Sequence, residues 1–162
     1  MKYPAWWKNS RGEWYVIVQV FLFALIAAGP ILAGDQPDVS GFVRAVALVI
    51  GGLFGAVGLL LVLAGLWGLG DNLSPLPHPK DDATLVQTGV FGIVRHPIYS
   101  GLITGAVGWA LLNVSLVTLV FALVLLVFFD IKSRREERYL AAKFPEYAAY
   151  QRRVRKLIPW VY

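Results

Sequence analysis

The chain has 162 residues, 57% hydrophobic and only 15% charged, with a formal net charge of +5. A soluble domain runs nearer half apolar and a quarter charged, so this balance excludes an ordinary water-soluble globule and a disordered chain. There is no cysteine, which removes a disulfide scaffold and a zinc–thiolate site and says nothing about compartment.

Three runs free of charge organise the chain: Trp14 to Gly34, Ala45 to Gly70 and Pro97 to Phe129. Each exceeds the roughly 18 apolar residues that suggest a transmembrane helix. The first predicts one span. It is long for the apolar part of a signal peptide and two further runs follow, so it reads as a retained helix. The second predicts one tilted or protruding helix, because about 39 Å of helix exceeds the hydrocarbon core. Its Gly51, Gly55, Gly58, Gly65 and Gly68 fall at close-packing spacings, with a GxxxG at Gly51–Gly55.

The third run would make about 50 Å of helix, too long for one crossing. Asn113, Val114 and Ser115 interrupt it near the middle, which predicts a hairpin of two short helices, roughly Pro97 to Leu112 and Val114 to Lys132. Charge gives an independent check. Four crossings place the N-terminal tail (Lys2, Lys8, Arg11), the 71–96 loop (Lys80, Arg95) and the C-terminal tail, with nine Lys and Arg, on one side. Only Arg44, beside the acidic turn Asp35 to Asp38, is left over. Lys and Arg collect on the cytoplasmic side of spans, so both termini and the polar segments are expected to be cytoplasmic. Basic residues arranged this way are an orientation signal and an attraction for anionic lipid rather than a nucleic-acid face. The expected fold is therefore an all-α integral membrane protein with four transmembrane helices, the last two a short hairpin, and a C-terminal interfacial helical tail. Residues 1–70 form a tail and two helices; residues 71–162 form a second unit that carries the chemistry.

Pro75, Pro77 and Pro79 enforce an extended path in the 71–96 loop and read first as a rigid connector. Arg95-His96-Pro97 follows, with Pro97 suited to the first position of a helix and His96 to its cap. First-turn N–H groups there can meet an anion, and Tyr99 and Gly101 follow in the next turns. After the hairpin, Lys132 and Glu136 stand at the spacing of an i,i+4 salt bridge on a solvated helix, and Glu136 and Glu137 are candidate cation binders. Pro145 opens a second helix whose Tyr147, Tyr150, Val154 and Leu157 predict an amphipathic, interfacial stripe. Gly89-Val90-Phe91-Gly92 is no dinucleotide fingerprint, and two histidines (His78, His96) without helical pairing make a metal site improbable.

Thr84 to Val86 (TLV), Thr88 to Phe91 (TGVF), Arg95 to Gly101 (RHPIYSG), Arg134 to Leu140 (RREERYL) and Phe144 to Tyr147 (FPEY) together resemble a known family. It is that of the integral-membrane methyltransferases of the isoprenylcysteine carboxyl methyltransferase type and the related phospholipid methyltransferases. The resemblance runs over roughly Ser74 to Pro159, and the two N-terminal helices carry no motif of it. It implies S-adenosylmethionine (SAM) bound at the cytoplasmic end of the bundle. By position, Thr84, Leu85, Val86, Phe91, His96, Pro97, Ile98, Tyr99 and Glu136 would contact the cofactor. Lys132, Glu137 and Arg95 are the candidate catalytic residues. Lys132 falls where eukaryotic members place a substrate-binding arginine, which keeps a cation and loses the bidentate fork. Phe91 replaces a tyrosine.

The resulting expectation is a SAM-dependent methyltransferase acting on a lipophilic or lipidated acceptor, a carboxylate or an amine, with membrane lipids as its surroundings. No nucleic-acid partner and no metal are expected, and the oligomeric state is not legible. Two alternatives stay open at this stage. One is an NADPH-dependent membrane reductase of the sterol-reductase type; the other is a non-enzymatic membrane protein whose RHP and EE segments only cap helices.

Overall fold

A computed structural model describes residues 12–34, 37–159 and 161–162. Lys2, Lys8 and Arg11 of the tail, and Asp35 of the acidic turn, lie outside the described residues. Among those described, regular structure is helical apart from one isolated parallel bridge between Val94 and Arg155.

The first two runs each become a single helix: α1, Glu13–Leu32, and α2, Gly41–Leu69. The third breaks where Asn113, Val114 and Ser115 predict, between α3 (Pro97–Leu112) and α4 (Leu116–Lys143). The break is built locally. Asn113 Nδ2 donates to the Trp109 carbonyl at 2.8 Å, Val114 takes a positive φ of 47°, and the Ser115 hydroxyl accepts from Thr118 N at 3.2 Å as an N-cap.

The length of the last helix corrects the expectation of two short ones. α4 does not stop near Lys132 but continues for 28 residues to Lys143. Arg, Glu, Leu and Ala are strong helix formers, and no glycine or proline interrupts them before Pro145. Polarity ends the apolar run there; it does not end the helix. Three helices, α1, α2 and α4, are long and apolar enough to cross a membrane, and α3 is a shorter apolar helix of 16 residues.

α3 packs between α2 and α4, and α1 lies against α4. The α2–α3 contact is made by backbone approaching backbone. A Cβ on Gly58 would lie 2.7 Å from Gly101 O and Gly105 N, and one on Gly101 would lie 2.5 Å from Gly58 O. The expected glycine packing is therefore present, with Gly51, Gly58 and Gly65 buried one after another along α2. On the other side, Tyr99 of α3 stacks on Phe129 of α4, centroids 4.4 Å apart. Leu22 and Ile26 of α1 join the same core with Ala122 and Leu125. The outward faces remain apolar: Phe21, Leu60, Trp67 and Val127 are all exposed. Contiguous apolar surface on several helices is unfavourable in water and suits hydrocarbon.

The C-terminal stripe also differs from expectation. α5 covers only Tyr147–Arg153, and Val154 and Leu157 follow it in extended and turn-like chain. All four stripe residues are buried in the protein, with Tyr147, Tyr150 and Val154 packed against Leu85, Leu140 and Phe144. The apolar stripe finds a protein partner, so it does not lie along a bilayer surface. Beyond α5 the chain runs beside the loop before α3, where Arg95 N donates to Arg155 O at 2.8 Å and His96 N to Lys156 O at 3.1 Å. This brings the 71–96 loop, the start of α3, the polar half of α4 and the tail to one end of the bundle.

Candidate active site

At that end a cavity of about 990 Å³, mouth included, opens among five parts of the chain. α2 contributes Leu66 and Leu69. The loop contributes Asn72 to Ser74, Leu76, Pro79, Ala83 to Val86 and Phe91. Arg95 to Tyr99 cross its base, Lys132, Glu136 and Leu140 line α4, and Tyr147 and Tyr150 close one wall. Residues more than thirty positions apart in sequence thus share one space. Of the twelve candidate cofactor-binding and catalytic residues, all but Glu137 line it.

Pro97 occupies the first turn of α3 and His96 its cap position, as the spacing predicts, and His96 makes no side-chain cap hydrogen bond. Its ring instead stacks on Tyr99, planes 6° apart and centroids 5.3 Å apart. Nε2 lies 3.1 Å from Glu137 Oε1 and Nδ1 lies 3.8 Å from Glu136 Oε2, so the imidazole sits between two carboxylates. Tyr99 donates its hydroxyl to Glu136 Oε2 at 2.8 Å. Among the described residues Glu136 is the one carboxylate in the cavity wall, and its side chain is about a quarter exposed (27%).

Its neighbour Glu137 has turned away from the cavity. It accepts from Arg95 Nε at 2.8 Å and from Gln151 Nε2 at 3.0 Å. Arg95 Nη1 donates to the carbonyls of Gln151, at 3.2 Å, and Val154. Arg95 is a lining residue, and the hydrogen bonds of its guanidinium tie the loop to α4 and to the tail. A buried carboxylate survives by such pairing.

Lys132 is not on a solvated face. It is 2% exposed, and its ammonium donates to Gln19 Oε1 of α1 at 2.6 Å and to Pro75 O at 3.1 Å. It also stands 5.2 Å above the Tyr99 ring. The salt bridge to Glu136 expected from i,i+4 spacing is replaced by these partners, and Glu136 reaches Tyr99 instead. The proline segment is likewise more than a connector, since Pro75 supplies an acceptor and Leu76 and Pro79 supply wall.

Several contributors were not foreseen from the sequence. Asn72 Oδ1 accepts from Thr84 N at 2.8 Å and pins the TLV segment to the end of α2. Tyr150 donates its hydroxyl to Phe91 O at 2.7 Å. Burial holds the Tyr147 phenol well above its ordinary range and pushes Tyr150 up to about 12, so both stay neutral. Gln19 carried a usable signal, being the one amide in the apolar run Trp14 to Gly34; a polar side chain in a span is costly unless something needs it. Asn72 and Gln151 carried none.

The profile of the phospholipid methyltransferase family matches residues 46–147, from within α2 to the start of α5. The chain belongs to this family. That stretch includes most of α2, for which no motif is visible in the sequence, and excludes α1. Among relatives, the cobalt-zinc-cadmium resistance protein CzcN of Cupriavidus metallidurans is 39% identical over 81 residues, covering 49% of this chain and 38% of that protein. The protein-S-isoprenylcysteine O-methyltransferase of Saccharomyces cerevisiae is 36% identical over 116 residues, 65% of this chain and 48% of that enzyme. The chain thus spans half or less of the length of these relatives. The structure of a eukaryotic intramembrane Ras methyltransferase, isoprenylcysteine carboxyl methyltransferase, superposes with a TM-score of 0.67 at 23% identity, over 94% of this chain and 54% of that one. The fold is shared with it. Family membership and the apolar helices make this an integral, multi-pass membrane protein.

Proposed function

We propose that this chain is a membrane-embedded methyltransferase that uses SAM and acts on a lipophilic acceptor carrying a carboxylate or an amine. The observation that carries the proposal is the cavity that draws RHPIY and the loop TLV together with Lys132 and Glu136.

The residues fit SAM, a zwitterion joined to a nucleoside. Glu136 is a carboxylate for its cationic part, and its Oε1 accepts no hydrogen bond among the described residues. Phe91 adds an aromatic ring to the lining, while Leu66, Leu69 and Ile98 add apolar surface for a flat base. Asn72, Ser74 and Thr84 supply hydroxyl and amide partners at the rim. When bound, SAM supplies an electrophilic methyl group on a sulfonium. The chain's own part is position and electrostatics. Its apolar walls keep water out, which strengthens every charge interaction inside. Lys132 presents a cation that holds an acceptor carboxylate; for an amine acceptor, His96 or Glu136 is placed to take a proton. Arg95 and Glu137 position the base of the site and act through the residues they hold.

In this reading α3 is the fourth crossing, shortened to 16 residues and shielded by its longer neighbours. The basic residues favour cytoplasmic termini and a cytoplasmic site, with the acceptor entering sideways from the bilayer. Residues 71–162 form the reactive unit, and residues 1–70 add scaffold, floor and the Gln19 contact. The family match gives no support to a reductase.

Titration of the detergent-solubilised chain with SAM, its demethylated product and NADPH tests the cofactor. Labelled-methyl transfer into a membrane lipid extract, with identification of the product, tests the acceptor. SAM binding with label in a lipophilic product is expected; NADPH binding without SAM binding would sink the proposal.

A further inference from the structure

Outside the cavity, a groove lined by Tyr15, Arg135, Arg138 and Tyr139 runs between the start of α1 and the polar half of α4. None of the four lines the cavity described above. The Arg135 guanidinium carbon lies 5.5 Å from the Tyr15 ring centroid and 6.0 Å from that of Tyr139, so two aromatic faces hold it in place. Its Nη2 also reaches the Tyr139 hydroxyl at 3.5 Å. Arg138, one turn further, is exposed and has no partner among the described residues. A fixed guanidinium beside a second, open one is a fork set suited to the oxygens of a phosphate.

The surroundings say where that phosphate comes from. Below Arg135 the α4 stripe turns apolar at once, with Ile131 half exposed at 51% and Phe128 packed against Tyr15, ring centroids 5.9 Å apart. Val18 extends the same apolar seam along α1, at 43% exposure. Both helices are candidate spans, so the groove stands where headgroups meet acyl chains. Tyr side chains favour that depth.

We propose that this groove binds the phosphate of an anionic membrane lipid through Arg135 and Arg138, with the lipid's acyl chain lying along the α1–α4 seam. The lipid is a bound ligand distinct from the methyl acceptor. The inference needs only that α1 and α4 cross the bilayer and does not depend on methyl transfer.

Native mass spectrometry of the full chain in detergent, loaded with phosphatidylglycerol or phosphatidylcholine of matched acyl chains, tests this. Wild-type protein should retain phosphatidylglycerol preferentially. Retention should fall about fivefold for each guanidinium removed in Arg138→Gln and in Arg135→Gln/Arg138→Gln. Arg138→Gln alone keeps the test valid if the double variant misfolds, because the exposed Arg138 side chain has no hydrogen-bond or ion-pair partner among the described residues. Arg152→Gln/Arg155→Gln removes the same charge from exposed positions elsewhere on the tail and should leave retention unchanged. Equal losses in that control would mean a diffuse basic surface and would overturn the proposal, as would equal retention by wild type and Arg138→Gln. Displacement of the lipid by an equal concentration of inorganic phosphate would assign the groove to free phosphate and overturn the lipid assignment.

Discussion

Arg95 donates from Nε to Glu137 Oε1 over 2.8 Å, and both side chains are only about one-tenth exposed. The pair joins the residue before His96 to the middle of the polar half of α4. Through Gln151 and Val154 it also joins both to the tail. His96 leans on the same carboxylate oxygen at 3.1 Å. Two adjacent glutamates on one helix therefore have separate tasks, Glu137 holding the base of the site together and Glu136 facing the cavity.

Removing Glu137 should act on stability first. Glu137→Ala leaves the Arg95 guanidinium enclosed without its counter-charge, at a cost of about 3 kcal/mol. A lowered thermal midpoint in detergent, together with faster proteolysis of the tail, is the expected outcome. An unchanged midpoint would mean that the pair contributes nothing net.

Glu136→Gln should do the reverse. Its side chain is more open and makes one close hydrogen bond, from Tyr99, which a glutamine oxygen still accepts. The thermal midpoint should hardly move, while SAM binding weakens about ten- to hundredfold from the lost charge-assisted contact. Isothermal titration of wild type and variant checks this, and equal affinities would remove Glu136 from the site.

Gly58 and Gly52 make a matched pair on α2. A Cβ at Gly58 would meet backbone atoms of Gly101 and Gly105 at 2.7 Å, whereas one at Gly52 meets nothing within 4 Å. Gly58→Val should force α2 and α3 apart at a cost of about 1–3 kcal/mol or more, with loss of monodisperse protein on gel filtration. Gly52→Val should be tolerated, since its side chain points outward.

Alkaline pH should expose the role of Tyr150. Burial pushes its phenol up to about 12, while the same group in an unfolded chain titrates near 10. The folded state favours the protonated form, so this contribution is complete below about pH 10 and is lost as pH rises through about 12. The thermal midpoint should be insensitive to Tyr150 ionisation between pH 7 and 9 and fall above pH 10. Tyr150→Phe should shrink that alkaline fall and lower the midpoint at neutral pH, because Phe91 O loses its 2.7 Å donor.

The sequence by itself determined the helical class, the two N-terminal helices, the break at Asn113–Ser115 and the identity of the polar segments. Those are local or compositional properties: apolar run length, turn chemistry, and a proline placed where a helix starts. Eleven of the twelve residues singled out from it line one cavity. It misjudged what depends on contacts between distant segments. Spacing put Lys132 with Glu136, but tertiary packing gives Lys132 to Gln19 and Pro75, from α1 and the loop. Spacing also made the Tyr147–Leu157 stripe a membrane-surface feature; packing buries all four of its residues, with Tyr147, Tyr150 and Val154 against Leu85, Leu140 and Phe144. Glu136 and Glu137 are chemically the same residue at adjacent positions. A helix turns about 100° between neighbours, so one faces the cavity and the other Arg95. Which is which depends on where the loop and the tail are held, and only the tertiary structure decides that.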